Sequence, residues 1–224
     1  MTMSKYDGVI NGNGPNGMED KPRILIIGAG SRGNAYARAI HQSGIGTVAA
    51  VADPIPLKRR LLGSKYIWGH DREPGFEQEF DGWQQFVTWE RLRRNAPYCD
   101  RLPGVDAVFI CVLDEQHADV VTALAPFKLH IMCEKPLATS LQDCLRIYST
   151  LLLPHPQVGP ETVFGIGHVL RYSPHNMLLR QLVLEDDAVG DVLSIEHTEP
   201  VGWWHFSHSY VRYAMGVTVG EADR

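Results

Sequence analysis

RILIIGAGSRG, residues 23–33, joins a short apolar run to three glycines with the spacing G-x-G-x-x-G. A continuous apolar run of this length is typical of a parallel strand that is covered on both faces. The glycines stand where this strand ends and where the helical pattern of Ser31–Ser43 begins. A glycine-rich turn between a strand and a helix predicts a dinucleotide-binding unit of the Rossmann type.

Each glycine of this turn has its own predicted role. Gly28 allows the tight turn, Gly30 lets the backbone approach a pyrophosphate, and Gly33 lets the helix pack closely against the strand. The backbone amides at the start of the helix, which includes Ser31 and Arg32, would then face the phosphates. We therefore expect these five residues to bind a cofactor.

Asp53 directly follows the next apolar run, Thr47–Ala52, and lies twenty residues after Gly33. A carboxylate at this position accepts hydrogen bonds from an adenosine ribose and repels a 2′-phosphate, so it favours NAD over NADP. Arg32 weakens that preference, because a nearby arginine could stack on adenine or meet a 2′-phosphate. NADP therefore stays open as a cofactor, and a chance glycine-rich turn before an ordinary aspartate is the structural alternative.

Strand and helix patterns alternate through the rest of the first 150 residues. The predicted elements after Asp53 are helices at Pro56–Tyr66, 83–94, 116–125 and 140–151, and strands at 106–112 and His130–Cys133. Ser140 is the predicted N-cap of the last helix. This order implies a parallel sheet with right-handed crossovers. The sequence thus predicts an α/β fold, a doubly wound parallel sheet over residues 21–158.

Two further segments flank this predicted domain. Residues 1–20 are polar and rich in glycine and asparagine, which predicts a disordered tail. Prolines and glycine from Pro154 to Pro160 mark the predicted domain boundary. Residues 159–224 then predict the start of a second α/β domain.

This second domain is expected to be incomplete, that is, C-terminally truncated. Its predicted elements are a strand at 162–170, a helix near 175–184 and a strand at 191–198. So few elements cannot form a wide open sheet, and the last strand would lack a partner while an apolar face stays uncovered. We therefore expect the second domain to be loosely ordered or prone to aggregation.

Composition narrows the class of partners. The net charge of −5 and the pI near 6.0 argue against binding to nucleic acid or to anionic membranes. Such partners are bound through a surface cluster of basic residues. No apolar stretch approaches the ~18 residues of a membrane span, and the N-terminus lacks the apolar core of a signal peptide. The 4 cysteines show no C-x-x-C spacing, which indicates free thiols and no metal site. We expect a cytoplasmic protein.

A second motif, Cys133-Glu134-Lys135-Pro136-Leu137-Ala138, follows the predicted strand His130–Cys133. The carboxyl end of a parallel strand faces the crevice in which such sheets bind ligands. A lysine beside Glu134 can stay protonated and polarise a substrate oxygen, or lower its own pKa enough to exchange protons. By position alone, a surface ion pair at the end of a strand explains the pattern equally well.

Taken in order, these motifs resemble the glucose–fructose oxidoreductase, inositol dehydrogenase and rhizopine-catabolism family (Gfo/Idh/MocA). The resemblance rests on GAGSRG, Asp53, the segment from Asp114 to His117, CEKPLA and Arg171-Tyr172-Ser173-Pro174. It implies a Rossmann domain that carries NAD(P) and a C-terminal α/β domain that closes over the nicotinamide. It also implies hydride transfer at a carbinol carbon of a sugar, polyol or related small molecule, in a protein that can form homo-oligomers.

The resemblance also implies roles for single residues. Lys135 would be the catalytic lysine that hydrogen-bonds the reacting hydroxyl, while His117 and Glu134 would lie beside the nicotinamide half of the cofactor. The second-domain residues that it places toward a substrate are Arg171, Tyr172, Trp204, His205 and His208. For each of these five, a packing role is an equal alternative.

One family feature is absent from the sequence. The general base of the family is commonly a histidine in an Asp-x-x-x-His pair on a helix, but no aspartate after Pro160 is followed four residues later by histidine. Unaided turnover by this chain is not expected, because a proton acceptor and part of the pocket are missing. Two alternatives stay open: an NAD-dependent glycoside hydrolase of the same family, and a non-catalytic protein that senses dinucleotides.

Overall fold

A parallel sheet of six strands is the centre of the computed structural model, which describes residues 21–97, 103–152 and 162–203. The strands are β1 Arg23–Ile27, β2 Thr47–Ala52, β3 Glu79–Phe80, β4 Ala107–Ile110, β5 His130–Cys133 and β6 Phe164–Ile166. Their order in the sheet is β3-β2-β1-β4-β5-β6, and every pair is parallel. Because the strand order reverses between β1 and β4, the sheet is doubly wound, as predicted.

Helices connect these strands within the described part of the chain. They are α1 Ser31–Ser43, α2 Pro56–Tyr66, α3 Trp83–Asn95, α4 His117–Leu124 and α5 Leu141–Leu152. Short 3₁₀ turns at Asp114–Gln116 and Ala125–Phe127 flank α4. Ser140 caps α5 as predicted, since its hydroxyl accepts a hydrogen bond from the Asp143 amide at 3.1 Å.

The core lies on both faces of the sheet because β1 is apolar at every buried position. Leu25 and Ile27 belong to one buried cluster, and Ile24 and Ile26 belong to the other. Successive side chains of a strand point to opposite faces, so one apolar run supplies both clusters. Burial of each such side chain contributes about 1.5–3 kcal/mol. This packing fixes the carboxyl ends of β1, β2, β4 and β5 along one edge.

Two strands differ from the expectation. β3 is not among the predicted strands, because its two residues are too few to show a pattern. The strand predicted at 162–170 for the second domain is instead β6, which pairs with β5 through Ile131↔Phe164 and Cys133↔Ile166. The predicted boundary between residues 158 and 159 is therefore too early. The first compact unit extends to His168.

The second unit begins at Val169. It contains a 3₁₀ turn at Val169–Tyr172, helix α6 at Pro174–Arg180 and a π turn at Gln181–Glu185. The strand predicted at 191–198 is wrong, since these residues pair with no strand in the part of the chain that the structure describes. None of residues 169–203 is buried. Residues 169–203 therefore form no buried core of their own.

Candidate dinucleotide-binding site

The turn between β1 and α1 brings the backbone very close to the neighbouring strands. Gly28 has a φ of +98°, a conformation that side chains rarely adopt, and its amide donates a 2.8 Å hydrogen bond to the Ala52 carbonyl. A Cβ on Gly28 would lie 2.4 Å from the Cys111 carbonyl oxygen. Only glycine fits this position.

The other two glycines differ in what surrounds them. A Cβ on Gly33 would lie 1.9 Å from the Gly28 carbonyl oxygen, so the close approach of α1 to the turn requires glycine there. A Cβ on Gly30 would meet nothing within 4 Å. Gly28 and Gly33 are therefore required by the fold, whereas Gly30 borders open space that a ligand can enter.

Unpaired amides face this open space at the start of α1. No side chain caps the helix, and its first intrahelical bond runs from the Asn34 amide to the Gly30 carbonyl at 3.0 Å. The amides of Ser31, Arg32 and Gly33 precede that bond and are the donors that a helix N-terminus leaves without intrahelical partners. A diphosphate is the group that such donors bind well. The turn therefore fits the diphosphate of NAD.

Asp53 follows β2 and binds the backbone of the glycine turn. Its carboxylate accepts hydrogen bonds from the Ala29 amide at 2.7 Å and from the Ile55 amide at 2.8 Å, one on each oxygen. The residue is 7% exposed. An ionised carboxylate has about four lone-pair sites, so acceptor capacity for a ribose hydroxyl remains. The link between Asp53 and the turn could not be predicted from the motif alone.

The arginines near Asp53 already face carboxylates. Arg59 is buried and donates to the backbone carbonyl of Asp53 at 2.6 Å, and its guanidinium lies 3.1 Å from Glu79 and 2.7 Å from Asp81. Arg60 lies 3.4 Å from Glu79. These cations are therefore engaged, and the carboxylate of Asp53 is the charged group that a ribose would meet.

Arg32 lies toward the other half of the sheet. Its Nε atom is 3.6 Å from Oε1 of Glu134, which follows β5. Asp53 follows β2, on the opposite side of β1 from β5. In this geometry Arg32 faces Glu134 and not the place beside Asp53 where a 2′-phosphate would be read.

Glu134 is a buried carboxylate with polar contacts on both oxygens. Oε1 accepts a 2.6 Å hydrogen bond from the Tyr36 hydroxyl, and Oε2 lies 3.2 Å from the Lys135 amide. Burial, together with the hydrogen bond to Glu134, raises the pKa of the Tyr36 phenol, which therefore stays a donor. A Cβ on Gly167, just after β6, would lie 2.9 Å from Oε1, so that side of the carboxylate is closely packed.

Tyr36 was missed by sequence reasoning, although one signal was present. Arg32 and Tyr36 are four residues apart on α1 and so share one helix face. Both contact Glu134. The motif marks where α1 begins, but it does not show which later residues of the helix reach the site.

Lys135 is exposed at the carboxyl end of β5. Its ammonium group makes no hydrogen bond or ion pair with the residues that the structure describes. The lysine is thus available to a ligand in the crevice, as its predicted role requires. That role itself stays a prediction.

His117, which the resemblance places beside the nicotinamide half of the cofactor, contacts two backbone carbonyls. Its ring is fully buried, with Nδ1 2.8 Å from the Pro136 carbonyl oxygen and Nε2 3.3 Å from the Val112 carbonyl oxygen. The ring therefore connects the segment after β4 with the segment after Lys135. It presents no exposed nitrogen to a ligand in this geometry.

The predicted substrate residues belong to the second unit or lie beyond the described residues. Arg171 and Tyr172 are exposed in the 3₁₀ turn that opens this unit. Trp204, His205 and His208 lie outside the described residues. Within the described ranges, no three His, Cys, Asp or Glu side chains are grouped so that they could hold a metal ion, and no helix has the length and apolar character needed to cross a membrane.

Comparison with known proteins identifies related chains. The model of the GFO_IDH_MocA oxidoreductase family, with an NAD-binding Rossmann fold, matches residues 22–152. An inositol 2-dehydrogenase of Rhizobium meliloti (strain 1021) is 25% identical over 173 residues, which cover 76% of this chain and 42% of the relative. A 2,7-anhydro-N-acetylneuraminate hydratase of Escherichia coli (strain K12) is 30% identical over 99 residues, covering 44% of this chain and 24% of the relative.

Solved structures show the same fold. The myo-inositol dehydrogenase of Lactobacillus casei, in complex with NAD(H) and myo-inositol, has a TM-score of 0.56 at 20% identity, covering 75% of this chain and 42% of that one. An oxidoreductase of Agrobacterium radiobacter, in complex with NAD+, L-tartaric acid and magnesium, has a TM-score of 0.59 at 19% identity, covering 76% of this chain and 42% of that one. The chain thus spans less than half the length of these structures and of the relatives above.

Proposed function

Because the chain belongs to the Gfo/Idh/MocA family of oxidoreductases, we propose that it forms the NAD-binding half of a polyol or sugar dehydrogenase. The observation that carries the proposal is the position of two groups on one edge of the sheet. The open glycine turn follows β1, and the exposed Lys135 follows β5, two strands away. A dinucleotide bound across this edge spans the distance between a diphosphate site and a reactive group.

Two parts of the first unit would hold the cofactor, and a third would leave room for it. The amides of Ser31, Arg32 and Gly33 bind the diphosphate, and Gly30 leaves room for it. Asp53 accepts a hydrogen bond from the adenosine ribose, and its negative charge opposes a 2′-phosphate. NAD is therefore the preferred cofactor of this proposal.

Lys135 would handle the reacting oxygen of the substrate. Bound NAD supplies the group that gains or loses the hydride. The Lys135 ammonium hydrogen-bonds the hydroxyl oxygen at the carbon that is oxidised, orients it and polarises it, while the hydroxyl proton passes to a base that the residues assigned above do not supply. In the reverse direction the same ammonium hydrogen-bonds and polarises the carbonyl oxygen. A polyol substrate is supported by the names of the inositol dehydrogenases among the relatives.

A turnover assay tests this function. The chain, extended to the length of its relatives, is incubated with NAD and myo-inositol, then with other polyols and sugars, and reduced dinucleotide is followed by its absorbance. We expect reduction that depends on substrate and is lost in Lys135→Met, while the affinity for NAD stays within about twofold because the proposal places Lys135 on the substrate oxygen.

The alternatives give different results in the same assay. Glycoside cleavage without net reduction of NAD would favour an NAD-dependent glycoside hydrolase. Binding of NAD without turnover on any substrate would favour a dinucleotide sensor. Homo-oligomer formation and a cytoplasmic location, both expected from the sequence, are tested by mass measurement and by cell fractionation.

A further inference from the structure

Tyr36 has no part in the function proposed above, yet its hydroxyl contacts the site. The hydroxyl donates a 2.6 Å hydrogen bond to Oε1 of Glu134. The ring packs edge-on against Phe109 of β4, with ring centroids 5.2 Å apart. The ring of Tyr36 therefore makes the packing contact, and its hydroxyl makes the hydrogen bond. Loss of the hydroxyl alone leaves the aromatic contact in place.

The close partners of Glu134 are neutral. They are the Tyr36 hydroxyl at 2.6 Å and the Lys135 amide at 3.2 Å. Arg32 lies at 3.6 Å, and more than half of its side chain is exposed to solvent. An exposed guanidinium is screened by water and offsets a carboxylate only weakly. Glu134 therefore keeps much of its negative charge, held in one orientation by two hydrogen bonds.

The place of this charge relative to a dinucleotide follows from the sheet order. A doubly wound sheet binds one nucleotide over each of its two halves, on either side of the strand reversal. Asp53 follows β2 in the first half, and Glu134 follows β5 in the second half. If the function proposed above holds, the second half receives the nicotinamide. The nicotinamide ring carries a positive charge in NAD+ and none in NADH.

We infer that Tyr36 is a positioning residue that holds Glu134 toward the nicotinamide half of the site, so that the chain binds NAD+ in preference to NADH. The inference rests on the proposed function, because it needs a bound dinucleotide. A fixed negative charge attracts the cationic ring and leaves the neutral ring unaffected, and the attraction falls with distance. Tyr36 therefore acts through Glu134 and not on the cofactor directly.

Binding of the two redox forms tests the inference without any turnover. The dissociation constants of NAD+ and NADH are measured by calorimetry for the unchanged chain, Tyr36→Phe, Glu134→Gln and the double variant. We expect Glu134→Gln to lower the preference for NAD+ about tenfold and Tyr36→Phe about threefold, in line with the loss of a charge and of one hydrogen bond to it. In the Glu134→Gln background, Tyr36→Phe should change the preference no further.

Tyr66→Phe is the matched control. It removes the same hydroxyl from α2, where the ring contacts His41, and should leave the preference unchanged. A merely structural Tyr36 would change both dissociation constants by the same factor, which would overturn the inference. An effect of Tyr36→Phe that persists in the Glu134→Gln background would overturn it as well.

Three further results are decisive. If Tyr36→Phe does not fold, Glu134→Gln decides alone, since an unchanged preference overturns the inference and a lowered preference supports it. If the unchanged chain binds neither form, the proposed function fails and the inference fails with it. If it binds both forms but no variant alters their ratio, only the inference fails.

Discussion

Asp53 combines two observed backbone contacts with a proposed ligand contact, and one substitution would remove all of them. Its carboxylate accepts hydrogen bonds from the Ala29 and Ile55 amides, and its free lone pairs are the proposed acceptors for a ribose hydroxyl. The sequence motif alone predicts only the contact with the ribose. The contacts show that the shape of the glycine turn depends on this aspartate too.

We predict that Asp53→Ala weakens NAD binding at least tenfold and lowers the free energy of unfolding by about 1–3 kcal/mol, because the buried Ala29 amide and the partly buried Ile55 amide lose their acceptor. Calorimetry and urea denaturation measure the two effects. Asp81→Ala is the control, since this carboxylate is exposed, contacts only the guanidinium end of the buried Arg59 among the contacts given above, and does not bind the glycine turn. Loss of NAD binding with no change in stability would show that the turn keeps its shape without Asp53.

The thiols next to the site are expected to be unreactive. Burial raises the pKa of Cys133 to about 12, and burial likewise raises the pKa of Cys111. A raised pKa lowers the thiolate fraction at neutral pH, and the thiolate is the reactive form. We predict that iodoacetamide at about pH 8 leaves both residues unmodified in the native protein and modifies them in urea, as read by peptide mass spectrometry. Native modification of Cys133 would contradict its burial.

Different glycines of the turn are required for the fold and for ligand binding. Gly33 is required by the packing of α1 on the turn, whereas Gly30 borders open space. Gly30 also has an ordinary φ of −72°, which alanine adopts without strain. The two glycines of one motif should therefore respond differently to the same substitution.

We predict that Gly33→Ala lowers the free energy of unfolding by more than about 3 kcal/mol, because its Cβ would overlap the Gly28 carbonyl and force the backbone apart. Gly30→Ala should change stability by less than about 1 kcal/mol and weaken NAD binding at least tenfold. Thermal unfolding and NAD titration of both variants test this. Full NAD affinity in Gly30→Ala would mean that no phosphate approaches the turn there.

The elements of the first unit show what a sequence can predict. The bounds of β1, β2, β5, α1 and α2 agree with the predicted ones, because the strands are short apolar runs, Gly44 follows α1 and Pro56 begins α2. β6 was assigned to the wrong domain, because an apolar run predicts a strand but does not reveal its neighbour. The strand expected at 191–198 needed a partner that the described chain does not supply. Tyr36 and Glu134 are 98 residues apart in sequence, so their contact exists only in the folded sheet.

The two units of the molecule differ in how much they bury. The first unit contains two buried clusters, whereas every described residue from Val169 onward is exposed or only partly covered. Large apolar side chains are uncovered in the second unit, with Leu193 at 95% and Ile195 at 83% exposure. Exposed apolar surface of this kind marks interfaces or aggregation-prone segments.

Limited proteolysis should therefore cut the second unit first. We expect a resistant fragment that ends near His168, because local opening costs little where few contacts are buried. Mass spectrometry of the fragments identifies the cut sites. Comparison with a chain extended to the length of its relatives is the control, and the extended chain should resist cleavage beyond Val169. Equal resistance of the two units in this chain would contradict the expectation.

Each proposed role requires a dinucleotide bound across the edge formed by the glycine turn, Asp53 and Lys135. Calorimetric titration of the intact chain with NAD and with NADP tests this most directly. We predict that NAD binds at one site and that NADP binds at least tenfold more weakly, since Asp53 opposes the 2′-phosphate. Failure of the folded chain to bind either dinucleotide would contradict the interpretation.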